Sequence, residues 1–244
     1  EVPVAEAPLL HQALMVTGGR LRCQQARDPP AETRMQPMPL TVLDHPLAHD
    51  LLSRLRERGT GPAEFRTLTR RLGWLLVIEA TRDLLTEKVT VDTPIEETKA
   101  ARLAEPLVAI PVLRAGLGLL DAVTDLYPDT IVGYLGLERD EETLEPRDYY
   151  AKLPRMEGHR ALVLDPMLAT GGSGSAAIAH IKAHANPTSI SFVCIVAAPE
   201  GVARLEADHP KVPIVAGALD RQLNDVGFIV PGLGDFGDRL HGTD

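Results

Sequence analysis

The chain holds two cysteines in 244 residues, Cys23 and Cys194. Their spacing fits no metal or redox motif, and Cys194, inside an apolar run, reads as a buried core thiol. No apolar run is long enough to span a bilayer and no signal-peptide core is evident, so we expect a soluble, cytoplasmic protein without a membrane partner. Basic residues are outnumbered, 25 Lys and Arg against 34 Asp and Glu, for a formal charge of −9. That balance disfavours non-specific nucleic-acid binding, and no nucleic-acid partner is expected. An anionic substrate must therefore be drawn by a local basic cluster or a metal ion. No Ser or Cys stands out as a nucleophile. His180 and His184 are four apart on a helical pattern, but they lack the zincin glutamate and a third ligand, so helix surface is the expected role. Trp74, the only tryptophan, is expected in the core or at an interface.

Apolar residues make up 44% of the chain, enough for a sizeable core. The first ~37 residues are rich in Pro, Ala, Gln and Arg without a sustained period, and we expect residues 1–37 to be a disordered or non-native extension or a lineage-specific arm. Residues 38–244 then form one domain. Apolar periodicity predicts helices over Pro46–Arg58, Pro62–Leu85, Gly118–Leu126, Ser173–His184 and Glu200–Ala207. Strands are predicted at Val89–Val91, Leu107–Val112, Ala161–Leu164, Ile190–Ala198 and Pro213–Ala216. Ile131–Leu137 and the polar run to Tyr150 read as a protruding arm or hairpin. Strands alternating with helices argue an α/β fold with a parallel sheet flanked by helices.

The most informative stretch is Leu162–Ser173. An apolar strand ends in one acid, Asp165, and a small-residue turn with a helix behind it. Backbone N–H groups bared at a helix start favour an anion, and Asp165 can accept hydrogen bonds from sugar hydroxyls. Together they suggest a ribose-5-phosphate site. The alternative is an ordinary strand–helix turn, and spacing alone does not separate the two. A Walker loop is excluded because no lysine follows Gly171-Gly172 before Lys182. The dinucleotide-like Gly232-Leu233-Gly234-Asp235-Phe236-Gly237 lies too near the C-terminus for its βαβ unit.

Asp165-Pro166-Met167-Leu168-Ala169-Thr170-Gly171-Gly172-Ser173 resembles the loop of uracil phosphoribosyltransferases that binds 5-phosphoribosyl 1-diphosphate (PRPP). Ile110–Gly118, Arg139–Pro146, Ala197–Gly201 and Ile229–Arg239 resemble four further blocks of the family, in its order. The resemblance implies the PRPP-binding α/β fold, with a β-arm and a small C-terminal hood. It implies conversion of uracil and PRPP to UMP and diphosphate, in pyrimidine salvage. PRPP would contact Arg114, Arg139, all nine residues from Asp165 to Ser173, and Asp235. Ile229, Gly234, Asp235 and Phe236 would form the uracil site, with Phe236 either shielding the base or packing inward. Asp235 and Arg114 are the expected catalytic pair. Mg²⁺ would be held mainly through PRPP, with no protein ligand directly assigned. The family also implies a homodimer or higher homo-oligomer, and GTP as an allosteric activator in some members. Two departures stand out. The wider PRPP-binding group often carries two adjacent acids where this chain has Leu164-Asp165. Glu138 replaces an aromatic or apolar residue before Arg139. The competing reading is a PRPP- or UMP-sensing regulator without catalysis.

Overall fold

A computed structural model describes residues 40–139 and 146–243, with only the backbone of residues 138, 139 and 146–149. The expected extension at residues 1–37 and the acidic tip of the arm at 140–145 lie outside the described residues. In chain order the elements are β1 (Leu40–Val42), α1 (Pro46–Arg56), α2 (Pro62–Ala80), β2 (Thr86–Asp92), β3 (Glu97–Leu103), β4 (Leu107–Leu113) and α3 (Leu117–Leu126). There follow β5 (Ile131–Val132), β6 (Tyr134–Arg139), β7 (Pro146–Lys152), β8 (Arg160–Leu164), β9 (Met167–Leu168) and α4 (Gly172–His184). The chain closes with β10 (Ser189–Ala197), α5 (Pro199–Asp208), β11 (Ile214–Leu219), β12 (Gln222–Leu223), β13 (Ile229–Val230) and α6 (Phe236–His241).

Helices α1, α2 and α5 each open on proline, whose fixed φ suits a first turn and whose missing N–H removes no helical bond. Helix α2 stops at Ala80, short of the expected Leu85. The Thr81 hydroxyl donates to the Val77 carbonyl at 2.7 Å and pairs with the Tyr127 hydroxyl at 3.0 Å, and its backbone leaves the helical region. Such side-chain bonds compete with continuation of a helix. Trp74 is not core: it is partly exposed on α2, and its indole N–H donates to Asp125 at 2.9 Å.

The main sheet runs β1-β11-β10-β8-β4-β6-β7, with β5 beside β4 and β9 continuing along β10. All its pairs are parallel except β6–β7, the hairpin expected as the arm. Buried strands alternate faces. Leu162 and Leu164 of β8 join the core under α1, α2, α3 and α6, while Ala161 and Val163 join the core under α4 and α5. Strand β2 is longer than expected and pairs antiparallel with β3, which the periodicity did not indicate. Both strands are exposed along most of their length, so neither carries an apolar alternation.

One topological feature positions the site. From β4 the chain crosses through α3 to β5 and β6; from β8 it crosses through α4 to β10, on the other side. Where neighbouring parallel strands send their connections in opposite directions, a crevice opens at their C-terminal ends, and ligands bind there.

Candidate active site

A cavity of about 240 Å³ occupies this crevice, lined by residues 112–115, Leu137, Asp165 and residues 167–174. Of the residues expected to contact PRPP, Arg114, Asp165, Met167, Leu168, Ala169, Thr170, Gly171, Gly172 and Ser173 line it. Pro166 is buried behind them, its carbonyl accepting the N–H groups of Ile195 and Val196. Arg139 ends β6 opposite Pro146, and its side chain lies outside the described residues.

Gly171 caps α4 in the left-handed region, φ 78°, and offers no side-chain hydrogen bond to the helix start. Glycine adopts that conformation without steric cost. The first N–H groups of a helix have no intrahelical acceptor, so here they remain for a ligand. Thr170 Oγ1 reaches the Gly172 N–H only at 3.5 Å. Helix α5 forms the rear wall of this loop. A β-carbon on Gly171 would lie 2.8 Å from the Gly201 carbonyl oxygen. Farther along, the Ser175 hydroxyl donates to Asp208 at 2.6 Å, and Arg204 donates to the same carboxylate at 2.6 Å. These bonds hold the Asp208 carboxyl below its ordinary range, Ser175 contributing first and Arg204 second. Lys182 donates to His209 Nδ1 at 3.1 Å, so His209 Nε2 carries the proton and donates to the Ser175 carbonyl at 2.9 Å.

Asp165 lies between β8 and β9, which pair with β10 in one continuous register. Protein crowds its carboxyl, although a part of it still faces the cavity. Desolvation pushes its pKa up to about 7, against a smaller lowering by the Met167 N–H. Leu164, the apolar residue before it, is fully buried. Among the described residues no group of three or more His, Cys, Asp or Glu can hold a metal ion. His180 and His184 stack on each other at 4.3 Å.

Arg114 is exposed at the end of β4, and none of the ion pairs among the described residues uses it. Behind it, a β-carbon on Gly116 would lie 2.3 Å from the Leu164 carbonyl oxygen, so glycine lets the two cavity-lining segments meet.

The C-terminal turn does not line the cavity. Ile229 is buried in the core, and Gly234 and Asp235 are exposed. Asp235 caps α6, its Oδ1 accepting from the Asp238 N–H at 2.9 Å. The Phe236 side chain packs inward, edge to face on Phe65 at 5.1 Å, the second of the two arrangements expected for it. Three features escaped the sequence reading: the rear-wall contacts of Gly116 and Gly201, the lining residue Leu137, and the polar anchors of the C-terminal turn. Gly116 and Gly201 stood inside recognised blocks, where an unexplained glycine was the available signal.

The family model for uracil phosphoribosyltransferase matches residues 42–243. The uracil phosphoribosyltransferase of Symbiobacterium thermophilum is 52% identical over 206 residues, covering 84% of this chain and 98% of its own. That of Malacoplasma penetrans is 46% identical over 203 residues, covering 83% and 98%. The solved structure of the AQ2163 protein from Aquifex aeolicus is 41% identical, covers 84% of this chain and 99% of its own, and superposes with a TM-score of 0.80. With these matches along nearly the whole described chain, the protein belongs to the uracil phosphoribosyltransferase family.

Proposed function

We propose that the chain transfers the phosphoribosyl group of PRPP to N1 of uracil, the reaction that gives its family its name. The C1–O bond to diphosphate breaks, the C1–N1 bond forms and N1 loses its proton. The observation that carries this reading is the crevice itself, which combines the glycine-led start of α4, Asp165 and Arg114, a side chain in none of the ion pairs among the described residues.

The start of α4 binds the 5-phosphate through backbone N–H groups, with the Thr170 and Ser173 hydroxyls beside them. Ionised Asp165 accepts from the ribose hydroxyls. Arg114 neutralises charge that grows on the departing diphosphate, and Arg139 adds to it from the arm. Reaction at C1 builds oxocarbenium character, so orientation and electrostatics carry the rate and no covalent nucleophile is required. Backbone groups of Ile229 and Gly234–Phe236 read the two carbonyls and N3–H of uracil. Asp235 spends one oxygen on the helix cap and keeps the other for PRPP, its Mg²⁺ shell or the N1 proton.

Asp165 is the one carboxylate lining the cavity among the described residues, which suits a Mg²⁺ arriving on diphosphate oxygens rather than one caged by protein. The chemistry such an ion would supply is neutralisation of charge on the leaving diphosphate. Homo-oligomers, GTP activation and a cytoplasmic site belong to the same proposal; among the described residues, no helix is long and apolar enough to cross a membrane. Residues 38–244 form the catalytic unit.

The test is UMP formation from uracil and PRPP with Mg²⁺, with and without GTP, beside cytosine and hypoxanthine. Product from uracil alone, dependent on Mg²⁺, is expected. PRPP binding without product from any base would replace catalysis with the sensing role.

A further inference from the structure

We infer that Arg56 and Asp220 are positioning residues for the nucleobase, because together they hold both polar backbone groups of Gly232. Arg56 ends α1 and Asp220 follows β11. The pair is bidentate, with Nη1 to Oδ2 at 2.8 Å and Nη2 to Oδ1 at 2.6 Å. The Gly232 N–H donates to Asp220 Oδ2 at 2.8 Å, and Arg56 Nη1 donates to the Gly232 carbonyl at 2.7 Å. The four groups close a ring. Asp220 is 8% exposed, so the ring sits largely out of water.

A second anchor follows. Arg239 returns from α6 to donate to the carbonyls of Leu55 and Glu57, each at 2.6 Å, and of Leu233 at 2.7 Å. The C-terminal end of α1 is therefore a back plate to which both Gly232 and Leu233 are tied. Gly232 itself is in the left-handed region, φ 59°, and a β-carbon on it would lie 2.2 Å from the Ile229 carbonyl oxygen.

None of Arg56, Asp220 and Arg239 lines the cavity. A buried ion pair adds little net stability over apolar packing, but it is directional and cannot tolerate a displaced partner. Glycine-rich backbone, left to itself, has many conformations. A turn that discriminates bases by backbone hydrogen bonds has to keep its donors and acceptors within a fraction of an ångström. The ring supplies that constraint to the backbone of residues 233–235. This inference rests on the proposed uracil site.

Steady-state kinetics of Arg56→Lys and Asp220→Asn test it. A lysine cannot make the forked contact, and an asparagine keeps one acceptor oxygen while opposing an N–H to the guanidinium. Arg160→Lys is the control. Arg160 is a buried guanidinium paired to Asp83 and Glu105 at the start of β8, the strand's far end from the crevice. In either clamp variant the uracil KM should rise about tenfold, with the PRPP KM held within about twofold. The uracil-to-cytosine ratio of kcat/KM should fall alongside. Arg160→Lys should lower Tm and leave that ratio alone. Should Arg56→Lys fail to fold, Asp220→Asn carries the same test. Clamp variants with a lower Tm but an unmoved uracil KM and base ratio would overturn the inference alone. A wild type that makes no UMP would overturn the functional reading and this inference with it.

Discussion

Gly201 lies against the carbonyl oxygen of Ala169 so closely that a β-carbon on Gly201 would sit 2.5 Å from that oxygen and 2.8 Å from the carbonyl oxygen of Leu168. Both obstacles are backbone, so neither can swing aside. Helix α5 is thereby set directly behind the phosphate loop. In Gly201→Ala the loop has to shift, and the PRPP KM should rise about tenfold, with a stability loss of about 1–3 kcal/mol. The uracil KM should stay nearly constant. Equal weakening for both substrates would show that α5 supports the whole fold and not the loop.

Burial lifts the Asp165 carboxyl from 3.8 to about 7. The folded protein therefore holds this proton more tightly than the unfolded chain. The resulting stabilisation is complete below about pH 4 and is lost as the pH climbs through about 7. Above that range the ionised carboxylate opposes folding by on the order of 1–4 kcal/mol, the lower end reflecting water admitted by the cavity. Asp165→Asn should raise Tm at about pH 8 and change it little near pH 4. The same substitution should weaken PRPP, because the charged acceptor for the ribose hydroxyls is gone. Melts whose difference is the same at both pH values would rule out the raised pKa.

Arg114 is exposed and belongs to none of the ion pairs among the described residues, so its removal should cost the fold less than about 0.5 kcal/mol. A charge-assisted contact to diphosphate is worth about 1.5–3 kcal/mol, and Arg114→Ala should raise the PRPP requirement roughly 10–100-fold. A PRPP titration that superposes on the wild type would remove Arg114 from the site.

The family model begins at residue 42. Deleting residues 1–37 should leave kcat and both KM values unchanged. A soluble truncation that has lost turnover would make that segment part of the enzyme.

Local signals were readable without a structure. The apolar run of β8, the acid that ends it, the paired glycines of the α4 start and the arginine after β4 are each defined by neighbours a few residues away. They gave the parallel α/β class and nearly the whole lining of the cavity. The β2–β3 hairpin was only partly visible, because exposed strands need no apolar period.

By itself, then, the sequence determined the alternation of strands and helices, the glycine turn that follows Asp165 into α4, and the resemblance that named a substrate. These rest on side-chain period, glycine conformation and charge, all local properties. Only the tertiary structure decided which way Phe236 faces, how far Asp165 is desolvated, and that Gly201 backs the loop. It alone joined Arg56 to Asp220, 164 residues apart, around one glycine peptide. Burial and long-range hydrogen bonds arise when distant segments pack, and no local pattern encodes which segments those will be.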